Sequence, residues 1–381
     1  MFHKKEKSVT IITGYLGAGK TTVLNEILKS QGTRGTAVVV NDMGSVNIDA
    51  SLIRQNQMIK ADTQMIELTN GCICCTLQDA FMEQLAELAK DKNVERILVE
   101  ASGISDPSAI AAGFLAYREQ CGWKDLYLDS IVCVVDADRI YNEFLDDLSH
   151  PEENEQDPDI INLVMDQIEF CNIVLLNKCD LLNPNDVHRI EEVIRTLQKD
   201  AQIIECIQGK VNPDRIFQGK KFDFDKVMAS SRIQQQLSAG ATGHIDNEHG
   251  ISSFVYEERR PLYYDKFMKF LEEDYPETMI RAKGYVWFSD DDVHVQLFEQ
   301  AGRNASVTIV SNWLAAFPEK ERKAAIRENP EILDDWDEIY GDRINQIVFI
   351  GKEIDETAIR KKLNQCIYTG RCLQCMRSQI K

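Results

Sequence analysis

The chain has 381 residues, 44% hydrophobic and 28% charged, a composition that suits a soluble globular protein too long for one ordinary core, so one large and one smaller domain are expected. A formal net charge of −19 works against a broad phosphate-backbone interface, which needs a Lys/Arg surface, and no nucleic-acid partner is expected. The N-terminal "MFHKKEKSVTIITG" has no apolar signal core and no later apolar run reaches membrane-spanning length, so the expectation is a cytoplasmic protein with no membrane partner.

In chain order, "SVTIITGYLGAGKTTVLNEILK" opens as an alternating β-branched strand, turns through glycines, and continues with Val23, Leu24, Ile27 and Leu28 at helical spacing. Gly14 to Thr21 fits G-x-x-x-x-G-K-[ST] without a gap, a phosphate-binding loop of Gly14, Gly17, Ala18, Gly19 and Lys20 that runs into Thr21 and Thr22. The glycines let backbone N–H groups face phosphate oxygens, and the helix N-terminus adds its positive end. Lys20 is expected to reach the β/γ-phosphates and Thr21 to ligate Mg2+.

Next comes "NGCICCTLQD", with Cys72, Cys74 and Cys75 inside four positions just ahead of a helix-like run. Thiolates are soft donors that favour zinc or other late transition metals over Mg2+. Three of them leave a tetrahedral ion one ligand short, which suits a metal that has to leave again. Two other uses stay open: low-pKa redox thiols near a helix N-terminus, and plain space-filling. The scattered Cys121, Cys133, Cys171, Cys179 and Cys206 lie in or beside apolar runs and read as small core hydrophobes.

In "ERILVEASGISDP" a buried strand over 94–99 delivers Glu100 at its C-terminal end, where open α/β sheets place their chemistry. Glu100-Ala101-Ser102-Gly103 has the form that holds a Mg2+-bound water near a γ-phosphate, Gly103 allowing close backbone approach; a charged strand end is the plainer alternative. "SIVCVVDADR" is a further buried strand ending in Asp136, taken alone a turn-forming residue. "NIVLLNKCD" then gives Asn177, Lys178 and Asp180 in the N-K-x-D arrangement after an apolar strand. An aspartate in the ring plane accepts from guanine N1–H and the 2-amino group together, a donor pair adenine lacks, so GTP is expected over ATP.

After Phe217 the chain turns polar, with Gly and Gln, and reads as a connecting helix plus linker that holds His244 and His249, more plausibly solvated than metal-bound. Strands over 251–256, 279–288, 293–298, 304–310 and 345–350 and helices over 263–273 and 355–366 suit a small α+β domain. It carries no nucleophile–base pair or phosphate loop, so client recognition or gating is its economical role. The acidic "EILDDWDEIYGD" is either an interaction surface or, more plainly, a solvated face. Cys366, Cys372 and Cys375 near the C-terminus include a C-x-x-C of zinc spacing in what is otherwise a tail. The expected layout is an α/β P-loop NTPase domain with a mostly parallel sheet over 1–220, a linker over 221–249, an α+β domain over 250–370 and a tail over 371–381.

The P-loop, E-x-x-G, N-K-x-D and C-x-C-C loop together resemble the CobW-like metallochaperone family of P-loop GTPases, and within it the YciC-type, zinc-responsive branch; "GISSFVY" and "RAKGYVWF" extend the likeness into the second half. The resemblance implies a GTPase that delivers a transition metal, zinc above all, to a client metalloprotein. By position it carries over Lys20 and Thr21 as phosphate and Mg2+ ligands, Glu100 as the E-x-x-G acid, Asn177 and Asp180 as base readers, and Cys72, Cys74 and Cys75 as metal ligands. The chain departs from the pattern at Asn41-Asp42-Met43-Gly44, where many relatives have Asn-Glu-Phe-Gly, so Asp42, the candidate metal ligand there, is one carbon shorter than the glutamate it replaces; it also lacks the His-rich tract many relatives carry. A non-catalytic zinc buffer or sensor using GTP structurally, and a thiol redox switch, are the competing functions, and homo-oligomerisation stays open.

Overall fold

The computed structural model describes residues 6–30, 35–41, 64–68, 78–123, 125–142, 158–219, 222–239, 245–246, 251–276, 278–301 and 304–370. Asp42, Cys72, Cys74, Cys75, His244, His249, Cys372 and Cys375 lie outside them. The chain divides into two compact units, one of 1–149 with 163–234 and one of 150–162 with 235–381.

The first unit is built on seven strands, β1 (Lys7–Thr13), β2 (Thr36–Asn41), β3 (Gln64–Leu68), β4 (Arg96–Glu100), β5 (Leu126–Asp136), β6 (Ile173–Asn177) and β7 (Gln202–Glu205), in the order β3-β2-β4-β1-β5-β6-β7. Every pairing is parallel, so each connection has to cross over the sheet. The crossovers carry α1 (Lys20–Lys29), α2 (Gln78–Lys90), α3 (Pro107–Gln120), the short α4 (Ala137–Ile140), α5 (Pro158–Glu169) and α6 (Pro184–Leu197). Strands covered on both faces read as unbroken apolar runs, which is why 173–176 and 97–99 are fully buried. Val23, Leu24, Ile27 and Leu28 of α1 pack onto Ile12, Leu98, Val132, Val134, Ile173 and Leu175. The register sets Ile12 beside Glu100 and Asp136 beside Asn177, so the C-terminal ends of four adjacent strands form one row.

The second unit carries a six-stranded antiparallel sheet, β8 (Ile245–Asp246), β9 (Ile251–Glu258), β10 (Met279–Val286), β11 (His294–Ala301), β12 (Asn304–Asn312) and β13 (Asn345–Lys352), in the order β12-β11-β10-β13-β9-β8. Phe267 and Phe270 of α9 (Tyr264–Glu273) and Ile359 and Leu363 of α11 (Glu356–Cys366) pack with Phe254, Phe298 and Phe349 of that sheet. Ahead of it, the polar connecting stretch folds as α7 (Phe224–Ser230) and α8 (Arg232–Ala239). In this part of the chain sequence reading misses α10 (Glu319–Glu328), which buries no side chain, so "EKERKAAIRE" has no apolar stripe to betray it.

Of the scattered thiols, Cys133, Cys171 and Cys206 are core residues as expected, whereas Cys121 is exposed at the end of α3, where the chain turns out through Gly122. Cys366, considered above with the tail thiols, is 3% exposed in the aromatic core and donates to the Lys362 carbonyl at 3.5 Å, which removes it from any surface metal group.

Candidate nucleotide site

Two glycines of the phosphate loop are dictated by space as well as by backbone angle. Gly14 has φ +136° and a Cβ there would overlap the Val134 carbonyl oxygen; Gly19 has φ +102° and a Cβ would overlap the Asn177 amide. The chain therefore curls tightly against β5 and β6 before α1 starts at Lys20. No side chain caps that helix start and no acid stands in its first turn, which leaves the positive helix end to an anionic ligand. Lys20 is 7% exposed and its ammonium donates to the Tyr15 carbonyl at 3.3 Å, folded back over the loop.

Glu100 is no solvated strand-end charge. It is 1% exposed, and Thr21 Oγ1 donates to its Oε1 at 2.8 Å across 79 residues of sequence. Beyond it, Ser105 N–H donates to the Ser102 carbonyl at 3.1 Å and the two serine hydroxyls share a 2.8 Å bond, while Asp106 caps α3 through Ser108 N–H at 2.8 Å. Gly103 lies against the phosphate loop, since a Cβ there would stand 2.9 Å from Leu16 N and 2.7 Å from its side chain.

Asn177, expected to face a base, is 2% exposed and has both ends of its amide engaged by the protein. Its Nδ2 donates to the Ala18 carbonyl at 2.9 Å and its Oδ1 accepts from Gly209 N–H at 3.0 Å, tying the phosphate loop to the turn after β7. Lys178 takes the left-handed conformation, φ +64°, and pairs with Asp136, which also caps α4 through Arg139 N–H at 3.2 Å. Asp180 follows in an exposed single turn over Cys179–Leu181. Cys179 Sγ and Cys206 N–H donate to the same Leu176 carbonyl, at 3.1 and 2.8 Å. Burial pushes these thiols up, Cys179 to about 11 and Cys206 to about 12.

Sequence reasoning missed three members of this site. Asp136 is brought beside Asn177 by the β5–β6 register, a placement that local sequence pattern does not give. The turn at Gln208 and Gly209, both with positive φ, carries only a weak signal in its glycine. Gln167 of α5 donates to the Gly103 and Ser105 carbonyls at 3.3 and 3.1 Å, and nothing in sequence marks it.

Thr21 and Glu100 present hard oxygen donors side by side at the phosphate end of the sheet, a set that fits Mg2+ and not a soft metal. Among the described residues no group of three or more His, Cys, Asp or Glu is arranged to hold a metal ion, and no helix is long and apolar enough to cross a membrane.

Residues 8–205 match the family described as CobW/HypB/UreG, nucleotide-binding domain, and residues 251–367 match the Cobalamin synthesis protein cobW C-terminal domain. Zinc-regulated GTPase metalloprotein activator 1 of Dictyostelium discoideum is 31% identical over 95% of this chain and 80% of its own. The zinc chaperone YjiA of Escherichia coli is 26% identical over 93% of this chain and 96% of its own. A crystal structure of Zn(II)-bound YjiA GTPase from E. coli covers 96% of this chain and 100% of its own at 20% identity, with a TM-score of 0.41.

Proposed function

The chain belongs to the CobW/HypB/UreG family, and from that premise we propose that it is a GTP-hydrolysing metallochaperone that binds zinc through Cys72, Cys74 and Cys75 and passes it to a client metalloprotein. The observation that carries the nucleotide half is the 2.8 Å bond between Thr21 and buried Glu100, which joins the phosphate loop to the strand-end acid. The zinc half is supported by the soft donors of the C-x-C-C stretch and by relatives named for zinc.

The reaction is GTP + H2O to GDP + phosphate. Gly14, Gly17, Ala18 and Gly19 offer backbone N–H groups to the phosphates, Ala18 exchanging for them the Tyr15 carbonyl it now meets at 3.2 Å, with Thr22 in the first turn of α1 behind them. Lys20 exchanges the Tyr15 carbonyl for the β/γ-phosphate oxygens and stabilises charge there. Asp180 accepts from guanine N1–H and the 2-amino group, and Lys178, fixed by Asp136, borders the base. Asn177 acts one step removed, holding the phosphate loop and the 206–210 turn together around the nucleoside. Mg2+, held by the Thr21 hydroxyl with Glu100 beside it and Asp42 a further candidate, would offset the phosphate charge. Gly103 packs against Leu16 of the phosphate loop, which supports a role for the loop after Glu100 in sensing a γ-phosphate. No arginine is assigned to the transition state, so unaided turnover should lie below about 1 s⁻¹ and rise with a client.

Equilibrium dialysis of zinc against the nucleotide-free, GDP-bound and GMPPNP-bound protein, alongside single-turnover GTP hydrolysis, tests both halves. The expected result is a zinc affinity that depends on the nucleotide and hydrolysis that drops with Glu100→Gln. Equal zinc affinity in all three forms, or zinc delivery untouched by Glu100→Gln, would leave a zinc buffer with a structural nucleotide.

A further inference from the structure

We propose that Gln167 is a positioning residue for γ-phosphate recognition, an inference that rests on the GTPase reading and adds a residue to it. Gln167 stands on α5, in the part of that helix belonging to the first unit, and is 0% exposed. Its Nε2 donates to the Gly103 carbonyl at 3.3 Å and to the Ser105 carbonyl at 3.1 Å, so one amide spans the loop that follows Glu100. Both carbonyls sit in buried residues, which raises the cost of losing their donor.

The arrangement is directional. In a trans peptide the carbonyl and the next N–H point opposite ways, so turning the Gly103 carbonyl toward α5 aims Ile104 N–H away from it. On its other side Gly103 meets the phosphate loop at Leu16, and the Ser102–Ser105 bonds stiffen the turn between. The loop is thus clamped between the phosphate loop and Gln167, with the direction of Ile104 N–H set before any ligand arrives. That is the form electrostatic preorganisation takes, since the donor need not reorient when a terminal phosphate appears. Gln167 Oε1, by contrast, is buried with no hydrogen-bond partner among the described residues. What this position uses is therefore the donor end of its amide.

GDP has no γ-phosphate, so the clamp should affect the two nucleotides differently. Gln167→Met keeps length and volume, removes both donors and also removes the unsatisfied acceptor. The test uses the full chain with Mg2+ and titrates fluorescent GDP and fluorescent GMPPNP against wild type, Gln167→Met and Gln167→His, whose Nε2–H keeps one donor at similar reach. Expected for Gln167→Met are a lowered melting temperature, because two buried carbonyls lose their donor, an unchanged GDP affinity and a GMPPNP affinity about tenfold weaker, with a loss of about threefold or less for Gln167→His. If wild type separates the nucleotides and Gln167→Met separates them equally, or weakens both alike, the positioning role is overturned while the GTPase reading stands. If wild type binds neither guanine nucleotide, both fall together.

Discussion

Replacing Asn177 by alanine should be a stability lesion before it is a recognition lesion. The side chain is 2% exposed and satisfies two buried backbone groups, the Ala18 carbonyl at 2.9 Å and Gly209 N–H at 3.0 Å. Alanine leaves both orphaned, each costing about 1–3 kcal/mol, so a total of about 2–6 kcal/mol is expected. Against a whole-domain stability of about 5–15 kcal/mol that is a large fraction. Urea denaturation followed through a probe in the first unit should show the midpoint falling by about 1 M or more for a slope of about 2–3 kcal/mol/M. Nucleotide affinity should fall as well, for GTP and ATP alike, because the tie shapes the loop and does not read the base. Asn177→Asp separates the halves, keeping an acceptor for Gly209 N–H while setting a carboxylate oxygen against the Ala18 carbonyl. An unchanged urea midpoint with a loss confined to guanine nucleotides would refute this reasoning and return Asn177 to direct base contact.

Asp180→Asn should leave stability within about 0.5 kcal/mol, as an exposed turn residue does, while weakening GTP and admitting xanthosine triphosphate, whose 2-oxo group accepts from the new amide; competition binding checks it. Gly14→Ala should abolish nucleotide binding and lower the melting temperature, since neither φ +136° nor the Val134 carbonyl leaves room for a methyl; differential scanning fluorimetry with and without GDP reads both. Cys179 and Cys206 give up protons near pH 9 when unfolded but at about 11 and 12 when folded, so their contribution is fully present below pH 9 and lost as pH climbs through that window. They should therefore resist iodoacetamide at pH 8, where exposed Cys121 is alkylated, and mass spectrometry after short labelling distinguishes them. Changing Cys72, Cys74 and Cys75 to serine should reduce zinc stoichiometry without altering GDP affinity; retained zinc would place the cargo elsewhere.

Much of the first unit was legible because its strands are covered on both faces and so advertise themselves as apolar runs, as 173–177 does, and because a phosphate loop is spelled out by contiguous residues. What could not be read was any contact made by register. Asp136 meets Lys178, Thr21 meets Glu100 and Gln167 reaches Gly103 across 42, 79 and 64 positions, distances over which local pattern says nothing. The second unit was legible in strands β9 to β13 and in α9 and α11, which have buried stripes, and illegible in the two-residue β8 and in α10, which buries no side chain. Asn177 shows the same limit: motif spacing names the residue, and only the folded chain shows that its amide meets the Ala18 carbonyl and Gly209 N–H.

The all-parallel sheet has a consequence for how the protein is made. Lys7 to Thr13 cannot settle when they leave the ribosome, because their neighbours are residues 96–100 and 126–133, and the phosphate loop they carry is closed only when Asn177 and Gly209 arrive. Such distant pairings make for slow folding with strand edges bare in the meantime. The phosphate loop therefore takes its final shape late in synthesis, once Gly209 has been made and correctly threaded, and a chain cut short of that residue should fail to retain GDP.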